Sequence, residues 1–184
     1  MLNEDLIEMA FIDQLTGQGF EFHHGPDIAP DSDNPQRKNF DSVVLENQLL
    51  KAIEKLNPGV PSSAITEAHQ KVLNLGTEDI MENNERFHNY LTSGVPVEFT
   101  KDGASKGVNV DLLDIENPEN NTYWAVNQLV IKENNVNRRL DVVIYINGLP
   151  LVVVELKNAT SEKATIRNAY TQIQNYKKDV PSIF

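Results

Sequence analysis

The 184-residue chain predicts a mixed α/β sandwich, with helices first, then a sheet, then a helix laid across it. Three observations carry that reading. Helical apolar spacing dominates residues 1–91. Two apolar runs, 140–146 and 151–156, are joined by Asn147-Gly148, a strong short-range hairpin signal. Helical spacing then returns over 161–178, through Ala164, Ile166, Arg167, Tyr170 and Ile173.

Residues 3–16 place Leu6, Ile7, Ala10, Phe11 and Leu15 on one helical face, with Gly17 and Gly19 closing the helix. Residues 25–40 (GPDIAPDSDNPQRKNF) hold three prolines among Asp, Asn and Ser, the composition of a mobile loop. A second helix spans about 41–56 and stops before Asn57-Pro58. A third begins near Pro61-Ser62, where Pro suits a first turn and Ser can cap, and ends by Gly76. A fourth covers about 79–91. The expected layout is thus a mainly helical part, 1–91, and a part holding the sheet and a final helix, 92–184, within one domain.

Residues 95–100 and 107–115 alternate in short stretches, and 122–132 (TYWAVNQLVIK) is rich in β-branched and aromatic residues. Both hairpin runs are apolar on both faces, so the hairpin is expected as the central pair of a covered sheet. The chain stops at Pro181-Ser182-Ile183-Phe184, without the strand that would follow such a helix. That points to a fragment of a longer polypeptide. No internal repeat is visible.

Composition excludes several classes. Hydrophobic residues make up 40% and charged residues 23%, ordinary for a globular domain. The acidic start lacks a secretory pattern, and no apolar run approaches the roughly 18 residues of a spanning helix. No membrane partner is therefore expected, and the expected compartment is the cytoplasm. Zero cysteines rule out disulfides, thiolate metal sites and a Cys nucleophile. The net charge of −11 opposes non-specific polyanion binding by the whole surface. The excess is uneven, however: residues 132–178 carry +4 and the remainder −15. Either solvated charges have segregated by chance, or the C-terminal third meets a phosphate backbone.

The hairpin carries charges that an apolar sheet does not want. Glu155 and Lys157, two apart, share a strand face. Asp141 lies on the preceding strand, and register decides whether it joins them. A two-residue turn pairs Ile146 with Leu149 and sets Glu155 opposite Leu140. A three-residue loop or one bulge pairs Ile146 with Pro150 and brings Asp141 opposite Glu155. Pro150 lacks a ladder donor, so the second register is predicted. Two carboxylates about 4.5–5.5 Å apart at Cβ repel, and a hard cation such as Mg²⁺ relieves that repulsion. A nearby lysine can orient or deprotonate a water and balance phosphate charge. The plain alternative is a salt bridge from Glu155 to Lys157 or an arginine. On the last helix Gln172 and Tyr176 are i, i+4 and share a face. Either they contact a phosphate or base edge, or they are a tyrosine stacked on a solvated glutamine.

The stretch NRRLDVVIYINGLPLVVVELKN, followed by QIQNY, closely resembles the amino-terminal nuclease domain of type I restriction enzyme R (endonuclease) subunits. Those domains fall in the RecB-like branch of the PD-(D/E)xK nucleases, which adds a Q-x-x-x-Y motif. The likeness extends through ERFHNYLTSGVPVEF and DIENPENNTYWAVNQLVI to the first helix, nearly the whole chain. It implies a restriction-endonuclease-like mixed sheet flanked by helices. It also implies that Asp141 and Glu155 are metal ligands, that Lys157 is the catalytic lysine, and that Gln172 and Tyr176 are the accessory, DNA-contacting pair. Double-stranded DNA as substrate, Mg²⁺ as cofactor, and modification and specificity subunits as partners follow from the same resemblance. Leu140 stands where the superfamily pattern has Pro, a turn-shaping position outside the chemistry. ATP belongs to the motor of the resembled subunit; no G-x-x-x-x-G-K-[ST] is present here.

Glu8 matches a position where such folds sometimes place an acid near the metal, and is otherwise expected on solvated helix surface. Arg138 and Arg139 are expected to touch phosphate or to pair with the acidic half. His23, His24, His69 and His88 match no metal spacing and are expected on the surface or in loops. Two rivals to the nuclease reading remain: a docking module for a methyltransferase partner, its cleft inactive in isolation, and a RecB-like repair nuclease.

Overall fold

A computed structural model describes residues 4–76, 79–101, 103–157 and 166–184. Among these residues the chain is α/β, with five α-helices, a mixed four-stranded sheet and a separate two-stranded one. It divides into two compact units, residues 1–45 with 123–184, and residues 46–122.

The first unit is built on the four-stranded sheet, in spatial order β1 (Glu21–His24), β4 (Tyr123–Glu133), β5 (Val136–Ile146), β6 (Leu149–Val154). β1 runs parallel to β4, and the other neighbours are antiparallel. Alternate residues point to opposite faces, so each face collects its own core. On one face Ala125, Val142, Ile144 and Val154 pack with Ile12 and Leu15 of α1 (Glu4–Gly17). On the other, Val126, Val143, Tyr145 and Val153 pack with Ile173 and Tyr176 of α5 (Ile166–Asp179), and with Ile28 and Leu45. The central pair is therefore β4–β5, not the β5–β6 hairpin expected from apolarity alone. β6 lies at the edge of this sheet among the described residues, and its Val152 is 45% exposed.

The proline-rich stretch is anchored to the sheet rather than left as a free loop. Residues Gly25–Ile28 form a 3-10 turn. The buried Arg37 guanidinium donates to the carbonyls of Val130 (3.0 Å) and Ser42 (3.4 Å). Tyr145 Oη donates to the Val43 carbonyl, and Leu45 N to the Gly148 carbonyl. These bonds satisfy backbone groups that an irregular segment covering a sheet could not otherwise pair.

The second unit joins α2 (Glu46–Leu56), α3 (Ser62–Leu73), α4 (Ile80–Ser93) and the antiparallel pair β2 (Val95–Lys101) and β3 (Ala104–Val110). Leu49, Ile53, Ala64, Ile65, Ala68, Val95, Val110 and Leu112 form its buried interior. Asn57 ties the helices to the strand exit: its Nδ2 donates to the Asp111 carbonyl, and its Oδ1 accepts from Asp111 N. Asp79 caps α4, accepting from the amides of Met81 and Glu82.

Several expectations change. The amino-terminal part is not mainly helical, because β1, the 3-10 turn and the anchored segment up to Leu45 occupy much of it. The second helix starts at Glu46, not near 41. Pro61 is itself the N-cap of α3 and no side chain caps that end, so Ser62 does not play the expected role. The last helix is described from Ile166; residues 161–165, including Ala164, lie outside the described residues. Among the described residues no helix is long and apolar enough to cross a membrane.

At Gly25 close backbone contact leaves no room for a side chain. A Cβ there would lie 2.6 Å from the Asn127 carbonyl oxygen and 2.7 Å from that of Gln128. Backbone cannot swing aside as a side-chain tip can. Gly25→Ala is expected to lower unfolding free energy by about 1–3 kcal/mol in chemical denaturation, with unchanged denaturant dependence.

Candidate active site

The site is made by the hairpin. Asn147 (φ 53°) and Gly148 (φ 81°) both occupy the left-handed region, as a two-residue type I′ turn requires. That turn pairs Ile146 with Leu149 and Tyr145 with Pro150. The predicted Ile146–Pro150 pairing is thus not what forms. A register shift follows at once between Tyr145 and Ile144, so that Ile144 faces Val152 and Leu151 is the extra residue of a bulge. From there the ladder runs Val143–Val153 and Val142–Val154. Extended one step beyond Val154, where β6 ends, that register brings Asp141 opposite Glu155. The predicted neighbourhood arises through a tight turn plus a bulge, where the sequence suggested that the pairing would slip at the turn itself.

Asp141 sits at a second irregularity. Val126 and Leu129 are three apart on β4, yet join one apolar cluster, as do Leu140 and Val143 on β5. Regular alternation would send such pairs to opposite faces. Both strands therefore slip their pleat between those residues, at Gln128 (φ 51°) and Asp141. The β4–β5 register sets these two positions opposite one another. The slip releases Asp141 from the ladder pattern, and its Oδ2 accepts from the Leu156 amide at 2.8 Å.

The Glu155 side chain is 2% exposed, and both its oxygens are held. Lys157 Nζ donates to Oε1 at 2.5 Å. Tyr176 Oη donates to Oε2 at 3.1 Å and also lies 3.3 Å from the Arg139 carbonyl oxygen. Gln172 Nε2 in turn donates to Tyr176 Oη at 2.6 Å. The i, i+4 spacing of α5 therefore builds a relay from Gln172 through Tyr176 to Glu155.

Electrostatics follow from that packing. Burial pushes the Glu155 carboxyl above the usual carboxylate range, and the Asp141 charge adds to the push, against the opposing hydrogen bond from Lys157. Burial pulls the Lys157 amine down, but Glu155, Asp141 and Glu4 outweigh it and hold the amine above its ordinary value. Lys157 is thus an ammonium that donates rather than a base that accepts. The Tyr176 phenol is pushed up to about 12 by burial, so it stays a donor.

The donor set fits a hard dication. Two carboxylates, one desolvated and repelled by the other, gain from a cation between them, and Mg²⁺ retains several waters and needs few protein oxygens. Among the described residues no third acidic or imidazole group joins them. Lys157 and Tyr176 each take one lone pair of the Glu155 oxygens, which leaves further lone pairs for an ion while the hydrogen bonds orient the carboxylate.

Glu8 is not on solvated surface. It is 9% exposed, with Oε1 accepting from Asn127 Nδ2 at 2.7 Å and Oε2 from Gln128 Nε2 at 2.5 Å. Asn127 Oδ1 lies 2.8 Å from His24 Nδ1. The sequence signal for this network was the Asn127-Gln128 pair inside an apolar strand, since buried amides need partners. Among the histidines His69 departs from expectation, buried on α3 against the Glu46 carbonyl, while His23 and His24 lie on β1, the first half-buried and the second exposed. His88 lies on α4 and is exposed. Arg138 pairs with Asp179 at the end of α5 (2.5 Å), while Arg139 is exposed.

The whole chain, residues 1–184, matches the family described as type I restriction enzyme R protein N terminus. It is 36% identical over its full length to the type I restriction enzyme HindI endonuclease subunit of Haemophilus influenzae, of which it spans 18%. It is 30% identical over its full length to the putative type I restriction enzyme MjaIXP endonuclease subunit of Methanocaldococcus jannaschii, again spanning 18%. A shorter match, 39% identical over 71 residues, covers 39% of the chain and 21% of the EcoprrI endonuclease subunit of Escherichia coli. The chain thus spans about a fifth of the length of these curated relatives.

The relay predicts graded costs. Tyr176→Phe removes a donor to a buried carboxylate and is expected to cost about 1.5–3 kcal/mol of stability. Gln172→Ala, one bond further out, should cost about 1 kcal/mol or less. Urea unfolding in metal-free buffer measures both. Equal costs, or a neutral Tyr176→Phe, would contradict the relay.

Proposed function

The chain belongs to the family of type I restriction enzyme R protein N termini, and from that premise we propose that it is a Mg²⁺-dependent endonuclease domain cutting double-stranded DNA. The observation that carries the proposal is the bulge-set register, which puts Asp141 across from Glu155 with Lys157 bonded to the latter. A strand hairpin gains nothing structural from that arrangement. Two like charges and a lysine held in an otherwise apolar ladder are the kind of strained grouping found where chemistry is done.

In this reading Asp141 and Glu155 would hold the metal. When bound, Mg²⁺ would supply charge stabilisation at the phosphate and a more acidic water. The chain's own residues do the rest. The Lys157 ammonium, a compact point charge, orients the attacking water by donating to it and offsets negative charge on the phosphate oxygens. Tyr176 and Gln172 keep the Glu155 carboxylate in place, so that no reorganisation is needed as the reaction proceeds. Hydrolysis then breaks the bond from phosphorus to a sugar oxygen, which leaves with a proton. We place the domain within a larger subunit that works in the cytoplasm with modification and specificity partners, the motor and its ATP lying elsewhere in that subunit.

The test uses the full-length protein with its partner subunits. Lys157→Ala is expected to lower DNA cleavage about 10²–10³-fold, while calorimetry still detects Mg²⁺ binding. Glu155→Gln should abolish both. Wild-type cutting by Lys157→Ala would refute the assignment. Absent Mg²⁺ binding in the parent, with partner binding intact, would favour the docking reading.

A further inference from the structure

Tyr176 can hold Glu155 only while α5 keeps its place along the sheet. Ile173 and the Tyr176 ring pack with Val143, Tyr145 and Val153. Such apolar contact is non-directional, so it sets the depth of the helix better than its position along its own axis. The Tyr176–Glu155 hydrogen bond is 3.1 Å long. A shift of about 1 Å along the axis would break it.

A directional contact fixes that position. Asp179 ends α5 and shares one helix face with Gln172 and Tyr176, at the spacing i, i+4, i+7. Its Oδ2 accepts from Arg138 Nε at 2.9 Å and from Nη2 of the same guanidinium at 2.5 Å. Arg138 lies on β5 directly before Arg139, whose carbonyl oxygen is 3.3 Å from Tyr176 Oη. Two consecutive β5 residues therefore grip α5 within a single turn, one at Tyr176 and one at Asp179. Helix chemistry gives no reason for an acid there. The negative end of the helix dipole opposes a carboxylate in the last turn and favours the neighbouring Lys177 and Lys178. The Asp179 side chain is only 19% exposed, so desolvation adds to that opposition. The Arg138 guanidinium offsets both, through charge-assisted bonds of defined direction.

We propose that Arg138 and Asp179 are positioning residues for the cleavage reaction: their ion pair sets α5 along the sheet and thereby seats Tyr176 on Glu155. Both act through Tyr176 rather than on the substrate. The inference rests on the nuclease reading for its consequence in cleavage, whereas the coupling of Asp179 to Tyr176 does not depend on that reading. It also gives Arg138 a role other than contact with phosphate, because its guanidinium is engaged by a carboxylate of its own chain.

A double-mutant cycle in the full-length protein with its partner subunits tests this. At saturating Mg²⁺ and DNA, Asp179→Ala and Arg138→Ala are each expected to slow cleavage about 10–10²-fold, as a side chain displaced by about 1 Å would. Tyr176→Phe should slow it by a similar factor. In the Tyr176→Phe background, Asp179→Ala should then change the rate by no more than about twofold, because the bond it protects is already gone. Exchanging the charges, Arg138→Asp with Asp179→Arg, should recover most of the loss. Rate losses that multiply across the two backgrounds would overturn the proposal. So would cleavage retained in both single variants while DNA affinity in EDTA weakens in Arg138→Ala and tightens in Asp179→Ala, the pattern of an arginine on phosphate. Urea unfolding in metal-free buffer repeats the cycle without cleavage: the double variant should lose less stability than the two single variants together. If Lys157→Ala cuts like the parent, the nuclease reading fails and this metal-free cycle alone decides, additive losses overturning the coupling.

Discussion

One extra residue in a strand sets the geometry of the candidate site. Leu151 bulges from β6 directly after a tight turn, and every pairing beyond it moves by one position. Without it Glu155 would face Leu140, and the period-two pleat would turn the charged group into apolar packing. With it, Glu155 comes opposite Asp141, where the β4–β5 pleat has itself slipped. Two irregularities on neighbouring strands thus coincide in space. Bulges commonly re-aim side chains in this way at functional sites.

The surrounding structure holds what the ladder gives up. Asp141 takes the Leu156 amide, and Glu155 is bound from its own strand by Lys157 and from α5 by Tyr176. A buried carboxylate without such donors would shed its proton-free form. On the α1 side of the sheet a parallel solution holds Glu8, fixed by two amides from the kinked stretch of β4. The same kink lies against Gly25, which leaves room for no side chain. The kink, the glycine and Glu8 form one packed unit, and the position of Gln128 opposite Asp141 connects that unit to the site.

Much of the candidate site is legible in the amino-acid sequence. Asn147-Gly148 specifies its turn because both residues tolerate positive φ. The spacing of Glu155 and Lys157, and of Gln172 and Tyr176, determines which side chains can act together on one element. Other features escaped notice for physical reasons. β1 is four residues long, and its parallel pairing with β4 depends on a partner about a hundred residues away. Apolarity marked both hairpin strands as buried, yet it did not reveal which of them would be the edge. Glu8 and His69 read as surface because helical periodicity weighs each residue by its own polarity, whereas their burial is made possible by hydrogen-bond partners on distant segments.

The amino-acid sequence by itself determined the local geometry: the type of turn, the extent of the apolar runs, and the chemistry available at the end of β6 and along α5. Those properties depend on backbone sterics and on side chains within a turn or two of each other. Tertiary structure alone decided the placement of the bulge, the slip at Gln128 and Asp141, and the meeting of Tyr176 with Glu155. These are choices between packings that differ by one residue of register, and they are settled by how α1, α5 and the anchored segment before Leu45 close on the two faces of the sheet.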